Sequence, residues 1–194
     1  MDARTLIEFL DVMERMKDNT RHSWTSGGRH ESVAEHSWRT ALMALLMKDE
    51  FAQADIDKVI RMCLLHDIGE AVTGDIPAFD KTQGDEATER QAIGALLDTL
   101  PAPWPQELRA LFAEMDAQET LEAKIYKALD RLEAVLQHNE ADVSTWLALE
   151  YDLNLTYGVK DVQFSPYLAG LREELRRDTL EKMRAAEEKR ASKE

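Results

Sequence analysis

The sequence has few of the features that would place a protein in a membrane or an oxidising compartment. Its 194 residues include one cysteine, Cys63, so no disulfide can form within the chain. No segment approaches the roughly 18 uncharged apolar residues that cross a bilayer. The first apolar segment carries Asp2, Glu8 and Asp11, whereas a secretory signal needs a basic start and an uninterrupted apolar run. We therefore expect a cytoplasmic protein with no membrane partner.

Positive charge is also scarce. The chain has 24 Lys and Arg against 38 Asp and Glu, which gives a formal net charge of −14. A surface this acidic repels phosphate backbones, so we expect no nucleic-acid partner. A small phosphate-bearing substrate would need a local cation, either a metal ion or a few placed Arg and Lys side chains. The content of 44% hydrophobic and 32% charged residues is typical of a folded globular protein.

Helical periodicity, in contrast, extends along the whole chain, and no alternating strand pattern stands out. Ser32 and Glu35 have the spacing of a capping box at the start of the second helix, after a loop at 17–31. Gly74 and Pro77 predict the end of the third. The later helices are predicted near 84–99, 105–117, 120–139, 142–156 and 165–189, and the third runs from about Asp55 to Thr73. We predict one all-α domain over 1–194.

Two histidines lie on apolar faces of the predicted helices, His36 on the second and His66 on the third. Each one alone is more often a core histidine than a ligand. Asp67 alters this balance, because a carboxylate beside an inward histidine is unfavourable to bury without a partner. A divalent cation satisfies both groups, since imidazole and carboxylate are its usual ligands. Glu70 follows His66 at helical spacing, so it is either a further ligand or lies within reach of metal-bound water.

Four short motifs together resemble a known family. They are SVAEHS at 32–37, HDIGE at 66–70, TGDIP at 73–77 and ALDRLEA at 128–134. The pair HD alone is a weak motif, but the ordered set resembles the HD-domain metal-dependent phosphohydrolases. Within them it resembles the 5′-nucleotidases that act on deoxyribonucleoside monophosphates. The resemblance covers about residues 4–160, followed by the C-terminal helix at about 165–189. It implies a helical bundle around a metal cleft and a homodimer.

The resemblance implies four metal ligands, namely His36, His66, Asp67 and Asp130. Asp130 depends on it entirely, because the helical pattern alone places this residue on a solvated face. Dinuclear members of the superfamily carry extra histidines before the final aspartate, and residues 68–129 contain none. We therefore expect one divalent metal ion. Two nitrogen and two oxygen ligands with open positions suit Mn²⁺, Co²⁺, Mg²⁺, Fe²⁺ or Ni²⁺ better than a closed zinc site.

The resemblance also implies the residues that act on the substrate. Glu70 and Asp75 match the acidic residues near the attacking water and the leaving group, and their two roles are open to exchange. Arg21 and Lys81 match phosphate-binding cations, although each alone is equally consistent with a surface charge. Bacterial members often carry a tryptophan directly after that arginine, whereas here the nearest is Trp24. The preference between deoxyribose and ribose is therefore open.

The predicted function is metal-dependent hydrolysis of a phosphomonoester by a 5′-nucleotidase that releases phosphate from (deoxy)ribonucleoside 5′-monophosphates. One alternative is an HD-family hydrolase of another phosphomonoester or of a modified nucleotide. Another is a regulator that binds metal or nucleotide without turnover. Glu70 and Asp75 argue against the regulator, because a pure binding site has no need of groups that transfer protons.

Overall fold

The computed structural model describes residues 1–192, and helices dominate it. In chain order they are α1 Ala3–Met13, α2 Val33–Leu46, α3 Ile56–Leu65, α4 Glu70–Thr73, α5 Gln83–Asp98, α6 Trp104–Ala117, α7 Leu121–Glu140, α8 Glu150–Thr156 and α9 Pro166–Ala191. Two short strands, β1 Thr20–Trp24 and β2 His30–Ser32, pair in a small sheet. The all-α prediction is confirmed. Each helix among the described residues is too short or too polar to cross a bilayer.

The small sheet lies in the segment that we expected to be a loop. Its turn closes where the Thr25 N–H donates to the Arg29 carbonyl at 2.7 Å, and Gly28 there has a φ of +80°. This left-handed conformation suits glycine, which has no side chain to clash with the backbone. Strands of five and three residues are too short to produce a recognisable alternation, so the sequence pattern did not reveal them.

The third helix is shorter than predicted. It ends at Leu65, a turn follows, and Glu70 starts the separate helix α4. Gly69 in this turn lets α5 approach closely, since a Cβ at Gly69 would lie 2.9 Å from Glu89 Cγ and from Ile93 Cγ1. The expectation that His66 and Glu70 share one continuous helix is therefore wrong. The break places His66 and Asp67 in a turn.

The helix predicted at 142–156 also begins later than expected. The Asp142 side chain accepts from the Ser144 N–H at 2.8 Å and caps a short 3₁₀ turn instead. Helix α8 starts at Glu150, whose carboxylate accepts from the Leu147 N–H at 2.7 Å. Both side chains satisfy local backbone donors, which favours turns over a continuous helix. The other helices end within a few residues of their predicted bounds.

The contacts of the chain divide it into two compact units. The first comprises residues 1–22 and 31–126, and the second comprises residues 23–30 and those from Lys127 onwards. The prediction of a single domain over 1–194 stays a prediction, and its residues 193–194 lie outside the described residues. In the first unit, the buried residues Met16, Val33, Ile68, Ala71, Leu97 and Leu100 form a hydrophobic cluster. Ile68 and Ala71 anchor the turn after α3 in this cluster.

The second unit has an apolar interior that includes Leu132, Val135 and Leu168, all buried. The buried Arg172 side chain on α9 donates to the carbonyls of Asn154 at 2.6 Å and Tyr157 at 2.8 Å. These carbonyls belong to the C-terminal end of α8, where backbone acceptors lack helical donors and where a positive charge is favourable. Arg172 thus joins α8 to α9.

Candidate metal centre and active site

The N-terminal end of α2 fixes the position of His36. The capping box predicted from the sequence is present, since Ser32 Oγ accepts from the Glu35 N–H at 3.2 Å and the Ser32 N–H donates to Glu35 Oε2 at 2.9 Å. These bonds satisfy two backbone donors that a helix start leaves open. His36 follows directly, on the inner face of α2, and it is fully buried.

His36, His66 and Asp67 meet at one point in the first unit. The two imidazole Nε2 atoms are 3.2 Å apart, and His66 Nε2 lies 3.0 Å from Asp67 Oδ2. His36 Nε2 lies 3.9 Å from the same carboxylate oxygen. The candidate ligand atoms of all three residues therefore lie within 4.8 Å of one another. This group, which we call the HHD triad, has the size of a divalent-metal site.

The proton of His66 has one compatible position when the ring is neutral. Its Nδ1 lies 2.9 Å from the Cys63 carbonyl oxygen, which can only accept a hydrogen bond. Nδ1 therefore carries the proton, and the lone pair on Nε2 points into the HHD triad. Metal-binding histidines typically donate their second ring N–H to a carbonyl or carboxylate in this way. Two imidazoles and one carboxylate are also suitable donors for a divalent transition metal.

The predicted fourth ligand, Asp130, lies on α7 among the residues of the second unit. Its side chain is 14% exposed, so the solvated face expected from the helical pattern is largely covered. Lys127 Nζ donates to Asp130 Oδ2 at 2.9 Å. The role of Asp130 as a ligand stays a prediction.

Glu70 is a buried carboxyl group at the start of α4, with a relative exposure of 4%. Its Oε2 is buried and accepts no hydrogen bond from residues 1–192. Burial raises the pKa of Glu70 to about 10, and the negative charges of Asp67, Asp75 and Glu89 add to this effect. The carboxyl group therefore holds a proton at neutral pH in the metal-free protein, as a general acid must.

Asp75 follows Gly74, the residue that ends α4 with a φ of +74°. Burial raises the pKa of Asp75, and the charge of Asp67 raises it further. Arg21, Lys81 and His36 act in the opposite direction, with Arg21 the strongest of them. The candidate acidic residue and the two candidate phosphate-binding cations therefore interact electrostatically within the first unit.

The two cations each have an acidic partner. Arg21 Nη1 lies 3.7 Å from Glu31 Oε2, and Lys81 Nζ forms a close ion pair with Glu89. Burial by itself lowers the pKa of Lys81, but the hydrogen bond and charge of Glu89 outweigh it, so the pKa is raised overall. Lys81 is therefore a full positive charge at neutral pH.

The sequence reasoning missed two buried or half-buried acidic residues. Glu31 is 2% exposed and lies between Arg21 and Arg39, whose Nη2 is 4.0 Å from Glu31 Oε1. Glu89 on α5 forms a second group with Asp67 and Glu70. A signal for Glu89 was available, because it lies four residues before the core-packed Ile93 and so shares its helical face.

A cavity of about 440 Å³ opens beside Lys81 and Glu89. One wall comes from α4 and the segment after it, and the other comes from α5. Its lining includes the apolar residues Val72, Ile76, Ala92 and Ala95 and the polar residues Thr73, Thr88 and Gln91. A concave surface of this size and mixed polarity is typical of a small-molecule pocket.

Comparison with known proteins identifies the family. A family model described as HD domain matches residues 13–172, which is most of the chain. The chain belongs to the HD-domain family. The 5′-deoxynucleotidase HDDC2 of Bos taurus is 36% identical to this HD-domain protein over 142 residues, which are 71% of this chain and 68% of the relative. The human protein of the same name is 34% identical over 142 residues, 71% of this chain and 69% of the relative.

Solved structures agree with this assignment. A predicted metal-dependent phosphohydrolase from Magnetospirillum magnetotacticum superposes with a TM-score of 0.79 at 29% identity, covering 92% of this chain and 93% of the other. A conserved hypothetical protein from Pyrococcus furiosus gives a TM-score of 0.70 at 29% identity, covering 88% and 99%. The prediction of an HD-domain metal-dependent phosphohydrolase is confirmed, and this class of enzyme implies a divalent metal.

Proposed function

We propose that this HD-domain phosphohydrolase is a 5′-nucleotidase that releases phosphate from (deoxy)ribonucleoside 5′-monophosphates. The observation that carries the proposal is the HHD triad next to Glu70, which brings metal-binding lone pairs and a proton-holding carboxyl group into the same part of the first unit. The relatives named 5′-deoxynucleotidase, at up to 36% identity among those given above, point to the same substrate class.

The proposed metal ligands are His36, His66 and Asp67, with Asp130 as a fourth. A bound divalent ion would supply Lewis acidity and lower the pKa of a coordinated water. Mn²⁺, Co²⁺, Mg²⁺, Fe²⁺ and Ni²⁺ all suit this mixture of nitrogen and oxygen donors. The protein contributes orientation, because the hydrogen bond from His66 Nδ1 to Cys63 fixes the ring.

Proton transfer falls to Glu70 and Asp75. Burial keeps the proton on Glu70, which favours this residue as the donor to the departing 5′ oxygen. The charge of Asp67 in the triad raises the pKa of Asp75, so the two carboxyl groups interact. Asp75 is the candidate acceptor for a proton from the attacking water. The pH dependence of phosphate release by the Glu70→Gln and Asp75→Asn variants distinguishes this assignment from the reverse one.

Arg21 and Lys81 are the proposed cations for the phosphate group. Each is paired with a carboxylate, Glu31 and Glu89 respectively, which holds the side chain in place. Fixed positive charge stabilises the negative charge that develops on phosphoryl oxygens during transfer. We further propose that the neighbouring cavity accepts the nucleoside, because its apolar lining suits a base and its amide and hydroxyl groups can bond to it.

The test is phosphate release by chelated protein after addition of Mn²⁺, Co²⁺ or Mg²⁺, with a panel of deoxyribo- and ribonucleoside 5′-monophosphates. We expect the wild-type protein to release phosphate and the Asp67→Asn variant to release none. Release no higher than in that variant would refute the nucleotidase. Release from other phosphomonoesters alone would support the alternative HD-family hydrolase. The homodimer and the cytoplasmic location are part of the same proposal, and light scattering with size-exclusion chromatography tests the dimer.

A further inference from the structure

The contact between α8 and α9 in the second unit contains two buried hydrogen-bond donors without a protein acceptor. Arg172 and Asn154, which supply them, are each 3% exposed. The guanidinium of Arg172 uses Nε and Nη2 on two backbone carbonyls, but its Nη1 is buried and finds no acceptor among residues 1–192. The same holds for Asn154 Nδ2. Buried polar atoms are nearly always paired, so we expect these donors to bind an acceptor from solution.

The positive charge of Arg172 is only partly balanced by its surroundings. Within the described chain, the carboxylate that favours its charged form is Glu173, which is exposed and already lies 3.4 Å from Arg176 Nη1 and 3.8 Å from Arg177 Nε. The C-terminal end of a helix such as α8 carries about half a unit of negative charge. Burial lowers the pKa of Arg172, yet a guanidinium stays ionised at neutral pH. A buried charge of this kind favours a bound counter-ion.

A second guanidinium group contacts the same end of α8. The Arg131 Cζ atom lies 4.5 Å from the centre of the Tyr157 ring, and the Tyr157 carbonyl accepts from Arg172. A Cβ at Gly158 would lie 3.0 Å from Arg131 Cβ, so the backbone after α8 packs closely on α7. In a chain with a net charge of −14, two arginines therefore contact one residue. Neither of them pairs with a carboxylate of the residues that the structure describes.

Two neutral arrangements would satisfy the hydrogen bonds and leave the charge unbalanced. A buried water molecule can accept from one or both donors. Turning the Asn154 amide over would place its oxygen where Nδ2 now lies. Neither arrangement brings negative charge to Arg172. A monovalent anion accepts hydrogen bonds and balances the guanidinium at the same time, and the burial of Nη1 restricts the site to a small one.

We propose that Arg172 Nη1 and Asn154 Nδ2 form an anion-binding site between α8 and α9 that takes a small monovalent anion such as chloride. Arg131 adds positive potential from α7. The bound anion stabilises the contact by which α9 packs on α8, so the stability of the protein depends on the anion as well as on salt in general. The site lies within the second unit, and the proposal is independent of the HHD triad and of the proposed nucleotidase activity.

The experiment is thermal unfolding of the metal-depleted full chain while chloride replaces gluconate, a bulky anion, at constant ionic strength. Constant ionic strength keeps general screening the same, and removal of the metal prevents chloride from binding an ion at the HHD triad. Each tenfold rise in chloride above its dissociation constant should raise the melting temperature by about 3–6 °C. The NMR line of chloride should also broaden when the protein is added.

Asn154→Asp supplies a carboxylate beside Arg172 in place of the anion. This variant should lose both the chloride dependence and the line broadening, whereas Arg184→Gln, an exposed arginine on α9, and Arg21→Gln should respond as wild type.

Three results would overturn the site. A wild-type melting temperature that is the same in chloride and gluconate, without line broadening, would show that water or a turned amide satisfies the donors. An equal response in a folded Asn154→Asp protein would place the binding elsewhere. A response lost in Arg21→Gln would assign chloride to the proposed phosphate-binding cations.

Discussion

Replacing Gly69 by alanine tests how closely α5 packs against the turn that carries His66 and Asp67. A Cβ at this position would lie 2.9 Å from Glu89 Cγ and 3.3 Å from the Glu89 carbonyl oxygen. The carbonyl is part of the backbone of α5 and cannot rotate away, so the helix or the turn must move. Overpacking of this kind costs about 1–3 kcal/mol.

A smaller, stabilising effect of the alanine opposes this loss of stability. Gly69 has a φ of −58° and a ψ of −32°, which alanine adopts readily. Alanine therefore gains roughly 0.4–1 kcal/mol by restricting the unfolded chain. The two effects leave a net loss of about 0–2.6 kcal/mol in the free energy of unfolding. Urea denaturation of the metal-free protein measures it, as a lower midpoint at an unchanged slope.

Gly84→Ala provides the matched control within α5. A Cβ at Gly84 would meet Thr82 Oγ1 at 3.6 Å, which is an ordinary van der Waals contact. We expect this variant to be as stable as wild type or more stable by up to about 1 kcal/mol. If Gly69→Ala is as stable as Gly84→Ala, α5 does not pack closely enough on Gly69 to exclude a Cβ there. Weaker Mn²⁺ binding by Gly69→Ala alone would support the link between this packing and the triad.

Three further predictions follow from the site and its supports. Ser32→Ala should lower the free energy of unfolding by about 1 kcal/mol, because the Glu35 N–H loses its cap, and thermal unfolding with Ser26→Ala as the control measures it. The metal-free protein should lose stability as the pH rises from 4.5 toward about 10, because folded Glu70 keeps a proton that the unfolded chain releases. Denaturation across this range should show that the stability of Glu70→Gln depends less on pH than that of the wild type, and an identical pH dependence would contradict the raised pKa. Removing the metal with a chelator should lower the melting temperature of the metal-loaded protein. A metal ion at a hundred times its dissociation constant adds about 2.7 kcal/mol to the free energy of unfolding, and an Asp67→Asn protein should show little change.

Local sequence signals predicted the elements whose causes are local. Ser32 and Glu35 form a capping box through bonds three residues apart, so their spacing alone predicted the start of α2. The break after Leu65 lies where α5 approaches Gly69, a contact between residues twenty or more positions apart. The periodicity of one segment cannot reveal a contact with a distant segment. The third helix was therefore predicted to be longer than it is.

The candidate site shows the same difference between features with local causes and features with long-range causes. The predicted helical faces of His36 and His66 indicated their burial, because each lies among apolar residues of the helix predicted around it. The grouping of Glu89 with Asp67 and Glu70 arises from the packing of α5 against the turn, which no single segment reveals. The assignment of Asp130 came from family resemblance, since its helical position alone favoured a solvated side chain.

The acceptor that orients His66 is the main-chain oxygen of Cys63. Every amino acid supplies this atom, so the residue at position 63 can change over evolution without removing the hydrogen bond. The side chain there is buried, so the volume available to it limits which residues can replace cysteine. Homologous sequences can therefore drift at this position while the imidazole keeps its orientation, and variability at position 63 is not a sign of a failing active site.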